Sequence, residues 1–275
     1  MPELPEVETT LRGIEPALQG RTITRLIVRN SSLRWPITAE VDQACGQKIN
    51  RCWRRAKYLL IGLADNGTEN GGLLLHLGMS GSLRICDAGD APRKHDHVDI
   101  VLDSGDCVRF NDPRRFGAFL WWEPPSEQHE LLRHLGPEPL SGDFSGNYLR
   151  IKSGGRKGAV KNFIMDGKIV VGVGNIYASE ALYMAGIHPS RPAGRISAAR
   201  YEALAGAIRD VLQRAIRHGG TTLRDFRNSD GQPGYFAQEL LVYEREGLTC
   251  FQCQAPIRRK VIGQRSSYYC PRCQR

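Results

Sequence analysis

Hydrophobic spacing along the chain follows two patterns, and the change falls near EPPSEQHE (123–130). Before it, apolar residues come in short bursts: RTITRLIVRN (21–30), KYLLIGL (57–63), GLLLHLG (72–78), HVDIVL (97–102), DCVRF (106–110) and FGAFLWW (116–122). Clusters of Gly, Asn and Asp separate them. Short, partly alternating runs broken by turn formers predict strands, and several in succession predict a sandwich or barrel. The preceding ETTLRGIEPALQG (8–20) reads as a helix ended by Gly20. EPPSEQHE reads as a linker. Beyond it the period becomes helical. Tyr201, Leu204, Ile208, Val211, Leu212, Ala215 and Ile216 recur at helical spacing between Ser197 and His218, and Gly219-Gly220 ends the run. A second helix is expected over Asn175 to Ala185, with Asn175 as N-cap, Gly186 as C-cap and Pro189 forbidding continuation. The last stretch is short, cysteine-paired and basic. Three segments are therefore expected: a β-rich 1–130, a helical 131–240 and a compact 241–275, giving an α+β chain.

Composition narrows the class. With 275 residues, 41% hydrophobic and 24% charged, the chain is ordinary globular material. A formal charge of +9 points to a polyanionic partner, of which nucleic acid is the commonest. The start, MPELPEVETT, places three glutamates where an export signal needs a basic and then an apolar segment. No apolar run reaches the roughly 18 residues that span a bilayer. A cytoplasmic protein without membrane association is expected, so its eight cysteines read as thiols or metal ligands.

Cys45, Cys52, Cys86 and Cys107 stand alone, whereas Cys250-x2-Cys253 and Cys270-x2-Cys273 are two pairs sixteen residues apart. Each pair can bite one metal from a tight turn, and two pairs close a tetrahedron with no position left for water, the mark of a structural zinc. IRRKVIGQRSSYY between them suits a β-hairpin turning near Gly263, with Arg265 near its tip. So short a segment cannot build its own core, and zinc would supply the folding energy. A zinc ribbon that merely staples a basic tail fits the same spacing. So does a hairpin that meets phosphates or a nucleic-acid groove.

At the other end, Pro2 follows the initiator Met, which is usually trimmed before so small a residue. A terminal α-amine titrates near 7.7–8.0, so an appreciable fraction is free base at neutral pH, competent to attack a sugar C1′. A secondary amine condenses to an iminium, cationic without protonation and a good electron sink. Glu3, Glu6 and Glu8 lie close by as candidate acids or bases. A trimmed terminus with no chemical role is the commoner fate of a second-position proline.

The motifs settle what the chemistry leaves open. PELPEVE (2–8), RRAKYLL (54–60), HLGMSGSLR (76–84), KHDHVD (94–99), DPRRFGA (112–118), HLGPEPL (134–140), VVGVGNIYASE (170–180), HPSR (188–191), GGTTLRDF (219–226), GYFAQEL (234–240) and the final cysteines resemble, in number and order, the bacterial formamidopyrimidine-DNA glycosylase family. The resemblance covers essentially the whole chain. It implies an N-terminal two-sheet β-sandwich catalytic domain, a helix–two-turn–helix DNA-binding domain and a C-terminal zinc-finger β-hairpin. It also implies one structural zinc, no organic cofactor, duplex DNA as partner and a monomer.

The implied activity is excision of oxidised purines followed by β- and δ-elimination. Pro2 would attack C1′ and Glu3 would be the acid/base. Lys57 would donate a proton in β-elimination, and Arg265 would grip a phosphate and assist δ-elimination. Asn175 would hold another phosphate; Met79, Arg114 and Phe116 would fill the hole left by the flipped base. His95 and Arg156 would make further DNA contacts, with Lys157 an alternative to Arg156. The family's loop around Thr221–Asp230 would fold over the flipped purine and is expected to be mobile without DNA. Three rivals remain: an endonuclease VIII-like enzyme for oxidised pyrimidines, a non-catalytic zinc DNA-binding protein, and a zinc-ribbon translation protein, which leaves PELPEVE unexplained.

Overall fold

The computed structural model describes residues 2–65, 67–221 and 239–275. The chain divides into two compact units, Met1–His134 with His218–Tyr235, and Leu135–Arg217 with Phe236–Arg275.

The first unit opens with helix α1 (Leu4–Leu18), followed by strands β1 (Ile23–Val28), β2 (Lys48–Arg55), β3 (Tyr58–Asp65), β4 (Thr68–His76), β5 (Ser82–Asp87), β6 (Asp96–Leu102), β7 (Asp106–Asn111) and β8 (Ala118–Trp122). They form two antiparallel four-stranded sheets, ordered β2-β3-β4-β8 and β1-β6-β7-β5. One face of each sheet joins a common core. Leu59, Ile61, Leu63, Leu73 and Leu75 come from one sheet, and Leu83, Val98, Ile100, Leu102, Val108 and Phe110 from the other. Val7, Leu11, Ile14 and Leu18 of α1 enter the same cluster at helical spacing. The expected sandwich is therefore present, with two strands that the apolar pattern did not single out. KINRCWRR (β2) and SLRICD (β5) are both edge strands, where charged side chains are tolerated and guard against edge-to-edge pairing.

Helix α1 starts four residues earlier than the spacing indicated. Glu3 is its N-cap and Pro5 sits in its first turn, where a missing N–H costs nothing. The Glu6 side chain accepts the Glu3 N–H at 2.7 Å. PELPEVE is thus a helix start as well as candidate chemistry.

The second unit holds α2 (Gly146–Ser153), α3 (Val160–Met165), α4 (Asn175–Met184), α5 (Ala198–Arg217) and the hairpin β9 (Arg258–Ile262) and β10 (Arg265–Tyr269). Helix α5 buries Tyr201, Leu204, Ile208, Val211, Leu212 and Ala215 of the expected stripe, leaves Ile216 half-buried, and packs on α2 and α4. At α4 the expected cap is corrected. Gly174 is the N-cap and Asn175 the first helical residue, its side chain drawn away to other partners. Ala185 takes the C-cap position, and Gly186 follows it at φ +66°. No helix among the described residues is long and apolar enough to cross a membrane.

Candidate functional site

In the first unit, Pro2 is buried and Glu3 only 2% exposed, both at the entry to α1. Lys57 lies in the two-residue turn joining β2 and β3, where Arg55 pairs with Tyr58 and Ala56 adopts φ +55°. Glu8 of α1 accepts from Arg54 Nε at 3.0 Å, and Arg54 Nη1 donates to Ala56 O at 2.8 Å. These contacts tie the N-terminal helix to the turn that carries Lys57. Next to it, Tyr58 packs on His76 with ring centroids 4.9 Å apart. Burial pushes the His76 imidazole down to about 4, and the Lys57 and Arg34 charges add to the shift. Neutral His76 accepts the Gly78 N–H on Nδ1 at 3.0 Å.

Met79, Arg114 and Phe116 occupy two turns that press backbone to backbone. Met79 is 37% and Phe116 43% exposed, while Arg114 lies over the Phe116 ring at 4.9 Å. Gly78, at φ +61°, leaves so little room that an added Cβ would stand 2.5 Å from the Phe116 carbonyl carbon. Asp112, fully buried, clamps the turns together. Its Oδ1 accepts from Ser80 Oγ and its Oδ2 from Gly117 N–H, both at 2.8 Å. Ser80 Oγ in turn accepts the Arg114 N–H at 3.2 Å. His95 joins the same cluster: Asp112 N–H donates to its carbonyl at 3.1 Å, and His97 Nε2 lies 2.8 Å from Asp112 O. His95 itself adopts φ +72°.

The turn that carries His95, Arg93 to Asp96, is held by the Asp96 carboxylate, which accepts from Arg84, Asn111 and Arg93 N–H. Burial pushes the Asp96 carboxyl up, but these hydrogen bonds together outweigh it and hold it at about 2.

In the second unit, Arg265 is exposed and begins β10, straight after the two-residue turn Gly263-Gln264. Both turn residues have positive φ, +55° and +62°, the geometry that suits the twist of a tight hairpin. A Cβ on Gly263 would meet Asn162 Oδ1 at 2.5 Å, so the turn lies against α3. Asn175 and Lys161 grip the next residue of the hairpin. Ser266 O accepts from Asn175 Nδ2 at 3.0 Å and from Lys161 Nζ at 3.2 Å, while Lys161 Nζ also donates to Asn175 Oδ1 at 2.5 Å and Ser267 Oγ at 2.7 Å. Asn175 and the Arg265 strand are thus brought together. Arg156 lies over Phe163 at 5.3 Å, donates Nε to Lys152 O, and shares a recess of about 370 Å³ with Lys157 and Asn162. The expected lid over Thr221–Asp230 lies outside the described residues except for Thr221, whose N–H donates to Glu6 Oε1 at 2.7 Å.

The four cysteines are assembled as the spacing required. All four Sγ atoms lie within 4.8 Å of one another. A tetrahedral zinc with bonds of about 2.3 Å puts its sulfurs roughly 3.8 Å apart; Cys250 and Cys273 are 3.9 Å apart, and Cys253 and Cys270 are 3.3 Å apart. Burial pushes the Cys250 thiol up, but hydrogen bonds from Tyr183 and from the backbone of Cys253 and Gln252 outweigh it and bring it to about 6, ready to bind as thiolate. Cys273 N–H points to Cys270 Sγ at 3.4 Å. The donor set fits one zinc closed to substrate.

Buried charged residues also position the site: Asp96, Asp112, Lys161 and Glu180, none of which the sequence singles out, and Glu6, which it offers only as a candidate acid or base. Glu180, on the buried α4, accepts the N–H groups of Leu241, Val242 and Tyr243, the approach to the finger. For Lys161 and Glu180 the sequence signal is a charge at a core-facing position inside an apolar run, AVKNFIM and NIYASEALYM.

Three family profiles match the chain: the formamidopyrimidine-DNA glycosylase N-terminal domain over residues 1–119, its H2TH domain over 135–227, and the zinc finger found in FPG and IleRS over 247–275. The chain is 59% identical over its full length to the formamidopyrimidine-DNA glycosylase of Alcanivorax borkumensis, covering all of both proteins, and 58% identical to that of Pseudomonas aeruginosa. Among solved structures it resembles the MutM (Fpg) protein from Thermus thermophilus, with TM-score 0.87, 37% identity, and 99% of this chain and 98% of that one covered. It also resembles the Lactococcus lactis Fpg in complex with abasic-site DNA, with TM-score 0.90, 29% identity and 99% of each chain covered. Sheets, helical segment, finger and motifs agree along the whole length, and the chain belongs to the formamidopyrimidine-DNA glycosylase family of DNA glycosylases.

Proposed function

We propose that this protein excises oxidised purines, 8-oxoguanine and formamidopyrimidines, from duplex DNA and then cleaves the strand at the resulting abasic site. The observation that carries the reading is the placement of Pro2 and Glu3 in a buried, fixed position at the head of α1, beside a chain end that would otherwise be free to fray.

Once Met1 is removed, the Pro2 secondary amine attacks C1′ and the C1′–base bond breaks. Glu3 supplies the proton for sugar opening and base departure. The iminium draws electrons from C2′, the C2′ proton leaves and the C3′–O bond breaks, with Lys57 protonating the departing oxygen. A second elimination at C5′ releases the other phosphate, assisted by Arg265. The base reaches this chemistry only after flipping from the stack, at a cost of a few kcal/mol. Met79, Arg114 and Phe116 fill the gap, and their exposed, interlocked turns suit a wedge. His95, Arg156 and Asn175 are read as backbone contacts. Asn175 also positions the Arg265 hairpin. Zinc, held by Cys250, Cys253, Cys270 and Cys273, serves the finger's fold alone.

Incision assays on duplexes carrying 8-oxoguanine opposite cytosine, or thymine glycol opposite adenine, test the substrate class. The purine lesion should be incised faster. Preference for thymine glycol would reassign the protein to the pyrimidine branch, and binding without incision of either would make it a non-catalytic binder.

A further inference from the structure

Two of the isolated cysteines are neighbours in space. Cys86 of β5 and Cys107 of β7 are direct cross-strand partners, and their Sγ atoms lie 3.2 Å apart. They sit on the face of the sheet turned away from the core. Leu83 of β5 and Val108 and Phe110 of β7 point inward, so Cys86 and Cys107, at alternate positions, point outward. The adjacent row on that face is Arg84, Arg109 and Asp99, in register on β5, β7 and β6 and joined by ion pairs within a lattice that also takes in Arg29 and Asp96. This lattice fixes the two strands beside the sulfurs.

We propose that Cys86 and Cys107 form a modification site: a dithiol that a hydroperoxide converts to an intrachain cross-strand disulfide without unfolding of the sheet. A disulfide needs sulfurs about 2.05 Å apart on Cβ atoms about 3.5–4.5 Å apart, and directly opposed residues of an antiparallel pair place their Cβ atoms about 4.5–5.5 Å apart. From 3.2 Å, closure requires the sulfurs to approach by roughly 1.2 Å, within the reach of small χ1 rotations and slight strand movement.

The two thiols are unequal. Cys107 is fully buried, and burial, with the Cys86 sulfur beside it, raises its thiol to about 12. Cys86 is half-buried on an edge strand and is the sulfur that an oxidant can reach. In the first step the Cys86 thiolate attacks the peroxide, the O–O bond breaks, and Cys86 becomes a sulfenic acid as hydroxide leaves. In the second, Cys107 sulfur attacks Cys86 sulfur. The S–O bond breaks and the Cys107 proton leaves with hydroxide as water. Over both steps two thiols and one hydrogen peroxide give one disulfide and two waters.

The test uses the full-length, zinc-loaded protein treated with hydrogen peroxide until exposed Cys45 is oxidised, then alkylated and digested without reductant. Zinc release is followed in parallel with a chromogenic chelator. The expected product is a Cys86–Cys107 linked peptide pair two hydrogens lighter than the free peptides, formed before zinc is released. Cys86→Ser and Cys107→Val each abolish it, and the half-buried Cys86 site keeps the test open if the variant at fully buried Cys107 folds poorly. Cys86 found as sulfinic acid with Cys107 still alkylatable, or both alkylated when Cys45 is already oxidised, or Cys86 linked to another cysteine, would overturn the proposal.

Discussion

Asp112 holds the two turns that carry Met79, Arg114 and Phe116, so its removal is expected to loosen the proposed wedge and the fold together. In Asp112→Ala, Gly117 N–H and Ser80 Oγ each lose a charge-assisted bond of 2.8 Å. Hydrogen bonds to charged groups contribute about 1.5–3 kcal/mol each, and the gross loss is offset because a fully buried carboxylate no longer has to be desolvated. The net cost is expected between about 2 and 4 kcal/mol. Asp112→Asn keeps the shape, lets its carbonyl accept from Gly117 and its amide donate to Ser80 Oγ, and should cost about 1 kcal/mol. The assay is urea unfolding of the three proteins with a shared slope, alongside single-turnover incision of an 8-oxoguanine duplex. Incision should fall at least tenfold in Asp112→Ala under conditions where it remains folded, and less in Asp112→Asn. An alanine variant within about 0.5 kcal/mol of wild type, the usual range for an inconsequential surface change, would refute the clamp. So would one that loses stability yet incises at the wild-type rate.

Gly78→Ala should cost at least about 2 kcal/mol, since a left-handed backbone and a 2.5 Å approach to the Phe116 carbonyl carbon both oppose a Cβ; unfolding at the wild-type urea midpoint would contradict this. His76 gives a pH signature. Its folded pKa of about 4 lies below the usual 6.5, so the unfolded chain takes the proton first and stability falls as pH drops from about 6.5 toward 4. The loss at pH 5 is expected at about 1–2 kcal/mol, and comparison of urea midpoints at pH 7.5 and 5 should show a smaller drop in His76→Asn. Equal drops would exclude His76 as the source. Zinc chelation should melt the finger, whose buried cluster among the described residues is small: Tyr183, Val242, Cys250, Ala255, Ile257 and Cys270, with Leu241, Cys253, Tyr268 and Cys273 packed at its edge. Duplex binding should then weaken at least tenfold while the strand signal of the first unit persists; unchanged binding would separate the finger from DNA.

Legibility in the sequence followed the physics of each element. Strands whose inward positions are uniformly apolar, such as KYLLIGL and HVDIVL, could be read from pattern, as could α5 with its continuous buried stripe. KINRCWRR and SLRICD could not, because an edge strand can place arginines on its outer face and buries few side chains. The zinc ligands were legible because a tetrahedron constrains spacing. Asn175 was misplaced as a cap because local sequence cannot reveal that Lys161 and Ser266, distant in the chain, compete for its side chain. The roles of Asp112 and of the second Glu6 bond, to Thr221 N–H, were hidden for the same reason: each satisfies a backbone N–H group whose proximity exists only in the folded unit.

Borohydride trapping on a duplex containing 8-oxoguanine opposite cytosine, with peptide mapping of the adduct and Pro2→Gly in parallel, tests the Pro2 nucleophile most directly. A covalent adduct is expected on the N-terminal residue of the Met-trimmed wild type, through the Pro2 nitrogen. An adduct mapping to Lys57 or any other lysine, or trapping that persists at that lysine in Pro2→Gly and wild type alike, would contradict it.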